Sequence, residues 1–143
     1  MPPEIRISPS FYLCLAVQIL LLPVNWIAAA TFSAAVHELS HLLLLRLCSV
    51  QVYRLQLHGF GAILDTAPME PREELLCALA GPVGSFLLLI GIRWFPRIAL
   101  CGLVQGLFNL IPLGTMDGAR VTGSLFRLLP RKSPCKRDKL GVQ

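Results

Sequence analysis

The sequence predicts an all-α membrane protein, with about four transmembrane helices and a membrane-associated β-hairpin between the second and third. Three observations carry that prediction. First, the 143 residues are 55% hydrophobic and only 15% charged, against about 25% charged in a soluble domain, and the mean hydropathy is +0.65. A soluble domain of this length cannot hide so much apolar surface. Second, the apolar residues fall into long runs rather than being scattered. Third, five of the 13 Lys and Arg residues, and every lysine, lie in Arg131–Lys139. A basic stretch after apolar segments is the flank expected on the cytoplasmic side of a membrane. The net charge of +5 therefore points to the lipid bilayer as partner and not to nucleic acid. The chain reads as one transmembrane domain over 1–130 and a basic cytoplasmic tail over 131–143. The five cysteines are odd in number and widely spaced, which fits neither a disulfide framework nor a paired-cysteine metal knuckle.

The elements follow in order. Phe11–Leu22 is apolar apart from Gln18 and ends at Pro23. It is short for a span, and Ala28-Ala29-Ala30 after it imitates a cleavage site, but Glu4 cancels Arg6 ahead of it, so a retained helix is expected rather than a cleaved signal. Val24–Leu47 has 24 residues, a helix of roughly 36 Å, enough to cross a bilayer. Val50–Asp65 breaks the pattern. Val50, Val52, Leu55 and Leu57 are interleaved with Gln51, Arg54 and Gln56, His58–Gly61 reads as a turn, and Ala62-Ile63-Leu64 as a returning strand. Leu75–Ile92 is the third run, with Pro71, Glu73 and Glu74 as helix-start signals. Ile98–Leu113 is the fourth, and a shorter amphipathic segment spans Asp117–Leu129. With a cytoplasmic N-terminus, all but Arg93 and Arg97 of the 13 positive residues fall on the cytoplasmic side.

Of the eight acidic residues only Glu38 lies deep inside an apolar run, and His37 and His41 flank it. A charge at membrane depth costs several kcal/mol or more, so it needs a partner and a purpose. His37-Glu38-Leu39-Ser40-His41 is an H-E-x-x-H pattern. With three His and five Glu in the chain, about 0.002 such matches are expected by chance. On a helix, residues i and i+4 share a face, so both imidazoles can reach one ion, and tetrahedral Zn²⁺ accepts two imidazole nitrogens. The intervening glutamate sits beside the water that such an ion would activate, where it can take a proton and later pass it to a leaving amine.

A catalytic zinc usually has three protein ligands. Asp117 is the best third candidate. Pro112, Gly114 and Gly118 around it argue against a regular helix, and irregular backbone at membrane depth is tolerated where it lines a cavity. His58, in the predicted hairpin turn, is the rival ligand.

These residues resemble those of the site-2 proteases, the peptidase family of intramembrane zinc metalloproteases, and in particular its small bacterial members similar to the stage IV sporulation protease. Three stretches carry the resemblance over about residues 24–128. His37–His41 matches the zinc signature. Ala80-Gly81-Pro82-Val83-Gly84-Ser85 is similar to the family's glycine-proline motif, with Ser85 where many members have asparagine. Asn109-Leu110-Ile111-Pro112 with Met116-Asp117-Gly118-Ala119 is similar to its Asn/Pro and Asp-Gly motif, where Leu-Asp-Gly-Gly is more usual.

The resemblance implies a zinc endopeptidase of a bacterial cytoplasmic membrane that cuts membrane-protein substrates within or near a transmembrane segment. His37, His41 and Asp117 would hold Zn²⁺, Glu38 would be the general base, and Asn109 would donate to the substrate carbonyl. It also implies that the Val50–Leu64 hairpin pairs with an unwound substrate segment, since a strand edge can replace the hydrogen bonds lost on unwinding. Two other classes stay open on the sequence alone: a membrane metal carrier, although no internal repeats are visible, and a protease-like scaffold that binds membrane proteins without cutting them.

Overall fold

The computed structural model describes residues 4–59 and 61–129; the basic tail expected over 131–143 lies outside the described residues. In chain order the elements are β1 (Glu4–Ile7), α1 (Pro9–Leu21), α2 (Val24–Leu47), β2 (Val52–His58), β3 (Gly61–Thr66), α3 (Pro71–Leu87), a 3₁₀ turn (Leu88–Gly91), α4 (Pro96–Asn109) and α5 (Asp117–Leu128).

The boundaries have local causes. Pro9, Pro71 and Pro96 each stand in a helix's first turn, where a missing N–H costs nothing. The start of α3 is closed by a capping box: the Glu73 side chain accepts the Glu70 N–H at 3.2 Å and the Glu70 side chain caps the N–H of Glu73. The end of α2 is a tight reversal. Ser49 takes the left-handed conformation (φ 56°), the Ser49 N–H donates to Arg46 O and the Val50 N–H to Leu45 O. That is a Schellman arrangement with serine in place of the usual glycine, at a conformational cost of roughly 1 kcal/mol.

The expectation of an all-α protein with a lone hairpin is corrected in one respect. The hairpin is present, but β1 adds a third strand, giving the order β1-β2-β3, with β1 parallel and β3 antiparallel to β2. The pairing is Ile5↔Leu55 on one side of β2 and Leu55↔Leu64 on the other, and a bulge interrupts the second ladder between Val52 and Arg54. Arg54 joins the outer strands, reaching Glu4 at 3.2 Å and Asp65 at 3.6 Å. The fourth apolar run is also shorter as a helix than as a sequence. α4 stops at Asn109 because Pro112 cannot continue it, and residues 110–116 form the turn into α5.

Among the described residues, two helices are long and apolar enough to cross a membrane: α2, and α3 extended by the 3₁₀ turn to 21 residues. α1 and α4 have 13 and 14 residues, about 20 Å each, less than the roughly 30 Å of a bilayer's hydrocarbon.

Apart from Leu45, the buried residues of these helices are small or polar: Ala29, Ser33, His37 and His41, with Leu45, along one ridge of α2, Cys77, Ala78, Gly81, Pro82, Gly84 and Ser85 on α3, Ala99, Gly102 and Gly106 on α4. Large apolar side chains such as Leu20, Val24, Ile90 and Phe126 point outward. This inverts a soluble core. It is the pattern of helices that pack in lipid, where close backbone approach and interhelical hydrogen bonds replace the hydrophobic drive. One such bond, Ser33 Oγ to Gln105 Oε1 at 3.0 Å, joins α2 to α4.

Candidate metal centre

His37 and His41 stand one turn apart on the buried ridge of α2. Asp117 is the first residue of α5, brought to them by the 110–116 turn. Gly118 makes this approach possible, since a Cβ there would run into the Leu110 carbonyl. The Asp117 Oδ2 atom lies 3.1 Å from His37 Nε2 and 3.1 Å from His41 Nε2, and the two Nε2 atoms are 3.2 Å apart. All three residues are buried, and among the described residues they form the one group of three or more His, Cys, Asp or Glu side chains whose atoms converge this closely.

The far ring nitrogens explain the orientation. His41 Nδ1 lies 2.7 Å from the Cys77 carbonyl oxygen. A carbonyl can only accept, so Nδ1 carries the hydrogen, and the neutral ring then presents a bare lone pair at Nε2. His37 Nδ1 is 2.9 Å from Ser85 Oγ, and the Asn109 amide nitrogen is 3.1 Å from His37 Nε2, a donor facing a lone pair. Two imidazole lone pairs and a carboxylate oxygen thus converge on one point. Three acceptors repel one another unless a cation lies between them. A tetrahedral zinc site with bonds of about 2.0–2.1 Å has ligand–ligand edges of about 3.3–3.4 Å, so the observed triangle is close to the size such an ion requires. Gly81 keeps the space open: a Cβ on it would come within 2.6 Å of His37 Nε2 and collide with His41 as well. The donor set, its size and this cradle fit a divalent metal, with zinc the ion best suited to two nitrogens and one oxygen.

Glu38 turns to the side of the cluster and lines a cavity of about 510 Å³ together with His37, His41, Asn109, Thr115 and Asp117. Its Oε1 accepts the Ala62 N–H of β3 at 3.2 Å. Because that N–H points at α2, Ala62 and, by strand alternation, Leu64 direct their backbone groups away from β2 toward the site. β3 is an edge strand of the sheet, and its free edge faces the cavity.

The structure therefore brings together His37, Glu38, His41, Asn109 and Asp117. It leaves His58 apart: that ring lines the cavity from the end of β2, with Nε2 3.4 Å from Gln56 Oε1, outside the converging group. Sequence reasoning noticed Ser85 only as a departure from a motif, although a serine in an apolar run is a signal for a buried hydrogen bond. The Cys77 carbonyl left no signal, because a backbone group has none.

No protein-family model matches the chain. A curated zinc metalloprotease from Methanocaldococcus jannaschii is 32% identical over 105 residues, covering 62% of this chain and 30% of the relative. The solved structure of a site-2 protease from Methanocaldococcus jannaschii superimposes with a TM-score of 0.72 at 26% identity, covering 85% of this chain and 66% of that one. The chain thus spans about a third of the length of the curated relative and just under two thirds of the solved chain.

Proposed function

We propose that the chain, which is similar to a zinc metalloprotease and to a site-2 protease, is itself a site-2-type intramembrane zinc endopeptidase, cutting membrane-protein substrates within or near a transmembrane segment. The observation that carries this reading is the convergence of three lone-pair atoms beside a carboxylate that faces the same cavity. A metal carrier would have no use for that carboxylate.

His37, His41 and Asp117 would hold the ion. When bound, zinc supplies Lewis acidity and brings the pKa of a bound water to about 7. Glu38 takes the proton from the attacking water and delivers it to the leaving amine, since its carboxylate lies in the cavity next to the cluster. Asn109, whose amide nitrogen points at the cluster, donates a hydrogen bond to the substrate carbonyl as negative charge develops there. Ser85 and the Cys77 carbonyl fix the imidazoles so that Nε2 of each faces inward. The free edge of β3 takes up the backbone of an unwound substrate segment, which answers the need of every amide in lipid for a partner. Multi-pass insertion with a cytoplasmic C-terminus, in a bacterial cytoplasmic membrane, completes the reading. It is supported by the arginines that cluster at one end of the apolar segments.

The test uses the purified chain in detergent with one equivalent of zinc. Single-pass reporter proteins are added and their products mapped by mass spectrometry. Cleavage inside or beside the apolar segment is expected. Reporter capture without cleavage would replace the reading with a non-catalytic scaffold, and zinc flux in proteoliposomes would replace it with a carrier.

A further inference from the structure

A second cavity, of about 250 Å³, adjoins the metal cluster at His41 and Asp117 and is walled by Ala62, Ile63 and Leu64 of β3, by Thr115 and by Arg120. Among the described residues, Arg120 is the only Lys or Arg lining either of the two cavities that meet the cluster. Among the described residues, Arg54 and Arg120 are the only arginines withdrawn from full exposure. Arg54 has Glu4 and Asp65 as partners. Arg120 has no carboxylate partner among the described residues. Asp117, one turn before it on α5, is turned to the two histidines instead. Arg127, further along α5, reaches Glu74 near the start of α3 at 2.9 Å, so α5 runs back along α3 from the cluster and Arg120 stands one turn along that path.

An unpaired guanidinium beside a cavity within apolar helices is costly. Its planar fork of donors matches a carboxylate. We propose that this cavity is a substrate subsite that receives a peptide carboxylate, anchored by Arg120. The inference rests on the protease reading and adds a substrate class to it: peptides with an acidic group close to the cut. The position follows from β3. Its free edge meets Glu38 at Ala62, and the Arg120 cavity runs along it from Ala62 to Leu64, at most two residues or about 7 Å along the strand. A peptide paired with that edge therefore places its acidic group within about two residues of the scissile bond. The carboxylate is an Asp or Glu side chain or a free C-terminus.

The test uses the full-length zinc-loaded chain in detergent, with Glu38→Gln so that bound peptide stays intact. Fluorescent apolar peptides of about nine residues, amidated at the C-terminus, carry Glu, Gln or Lys walked through each position, and binding is read by anisotropy. Glu at one position is expected to bind about tenfold more tightly than Gln there. Adding Arg120→Gln should erase that preference, and adding Arg120→Glu should transfer it to Lys, with zinc content measured to confirm that each variant is folded. All-Gln peptides with a free C-terminus, stepped in length, separate the terminal carboxylate from the side chain. Equal binding of acidic and neutral peptides in both series, a preference that survives Arg120→Gln, or no binding of any peptide would overturn the subsite. The chain with Glu38 intact, given the same peptides, keeps the two readings apart. Cleavage without acidic preference removes the subsite alone, and acid-selective binding without cleavage removes the protease reading alone.

Discussion

The helices α2 to α5 and the sheet with α1 meet at Glu38, and they are held by different forces. In the helical part, buried Ala, Gly, Ser and Cys residues let the backbones approach closely, and His37 and His41 are locked by Ser85 and the Cys77 carbonyl. In the other part α1 buries no residue. It is tied to the sheet by polar contacts: the Ser8 N–H donates to Leu57 O and the Gly59 N–H to Ser10 Oγ. The sheet's outer strands are joined through Arg54. The rigid half supplies ligand geometry, which tolerates errors of only about half an ångström. The looser half presents a strand edge, which has to admit varied peptides.

Substitutions test this division. The largest effect is expected from Gly81→Leu, which drives a side chain into both imidazoles, and from His37→Ala, His41→Ala or Asp117→Ala. Each should abolish stoichiometric zinc, read by mass spectrometry, and with it any cleavage. Full zinc occupancy in Asp117→Ala would move the third-ligand assignment, with His58 tested next. Glu38→Gln should separate binding from chemistry, with zinc near that of the parent and cleavage lower by about 10²- to 10⁴-fold. Substantial cleavage by that variant would remove Glu38 as the base. Ser85→Ala should weaken zinc about 10- to 100-fold in a chelator competition, while Ser85→Asn, which keeps an acceptor, loses less. Leu64→Pro removes an N–H that points away from β2, so the sheet should persist. Substrate capture should fall by about three- to tenfold with zinc unchanged. The smallest effect belongs to β1. The Arg6 guanidinium beside Glu4, and then Arg54, hold the Glu4 carboxyl below its usual range. A lowered native value means that the stabilisation is present above the unfolded-state pKa and fades as pH falls through the native one. Amide exchange in β1 should therefore quicken on acidification below the usual carboxylate range, relative to a Glu4→Gln variant, while α2 and α3 hold.

Much of this was legible in the residues. The 24-residue apolar run gave α2 at its full length, because nothing inside it breaks a helix. Pro71 with Glu73 and Glu74 marked the start of α3. His37, Glu38 and His41 stood out because ionisable groups are rare at such depth, and Asp117 because it follows the turn that Pro112 forces. β1 was not legible. Four residues alternating charged and apolar carry too little signal on their own, and the strand exists through pairing with β2, some fifty positions away. The role of Arg120 was equally hidden: on the sequence it was one positive charge among 13, and only the packing of α5 along α3 sets it beside a cavity that β3 also walls.

The small-residue interior has a consequence for how the chain can vary. In most soluble proteins the centre accepts one large apolar residue for another and the surface accepts nearly anything polar. Here the permitted alphabet is reversed. Positions such as Ala78, Ala99 and Gly102, all buried, admit little beyond Gly, Ala, Ser or Cys. Outward residues such as Leu20, Ile90 and Phe126 are interchangeable with any lipid-soluble side chain. In a saturation library scored for zinc retention, side-chain volume would set fitness at the inner positions and hydropathy at the outer ones.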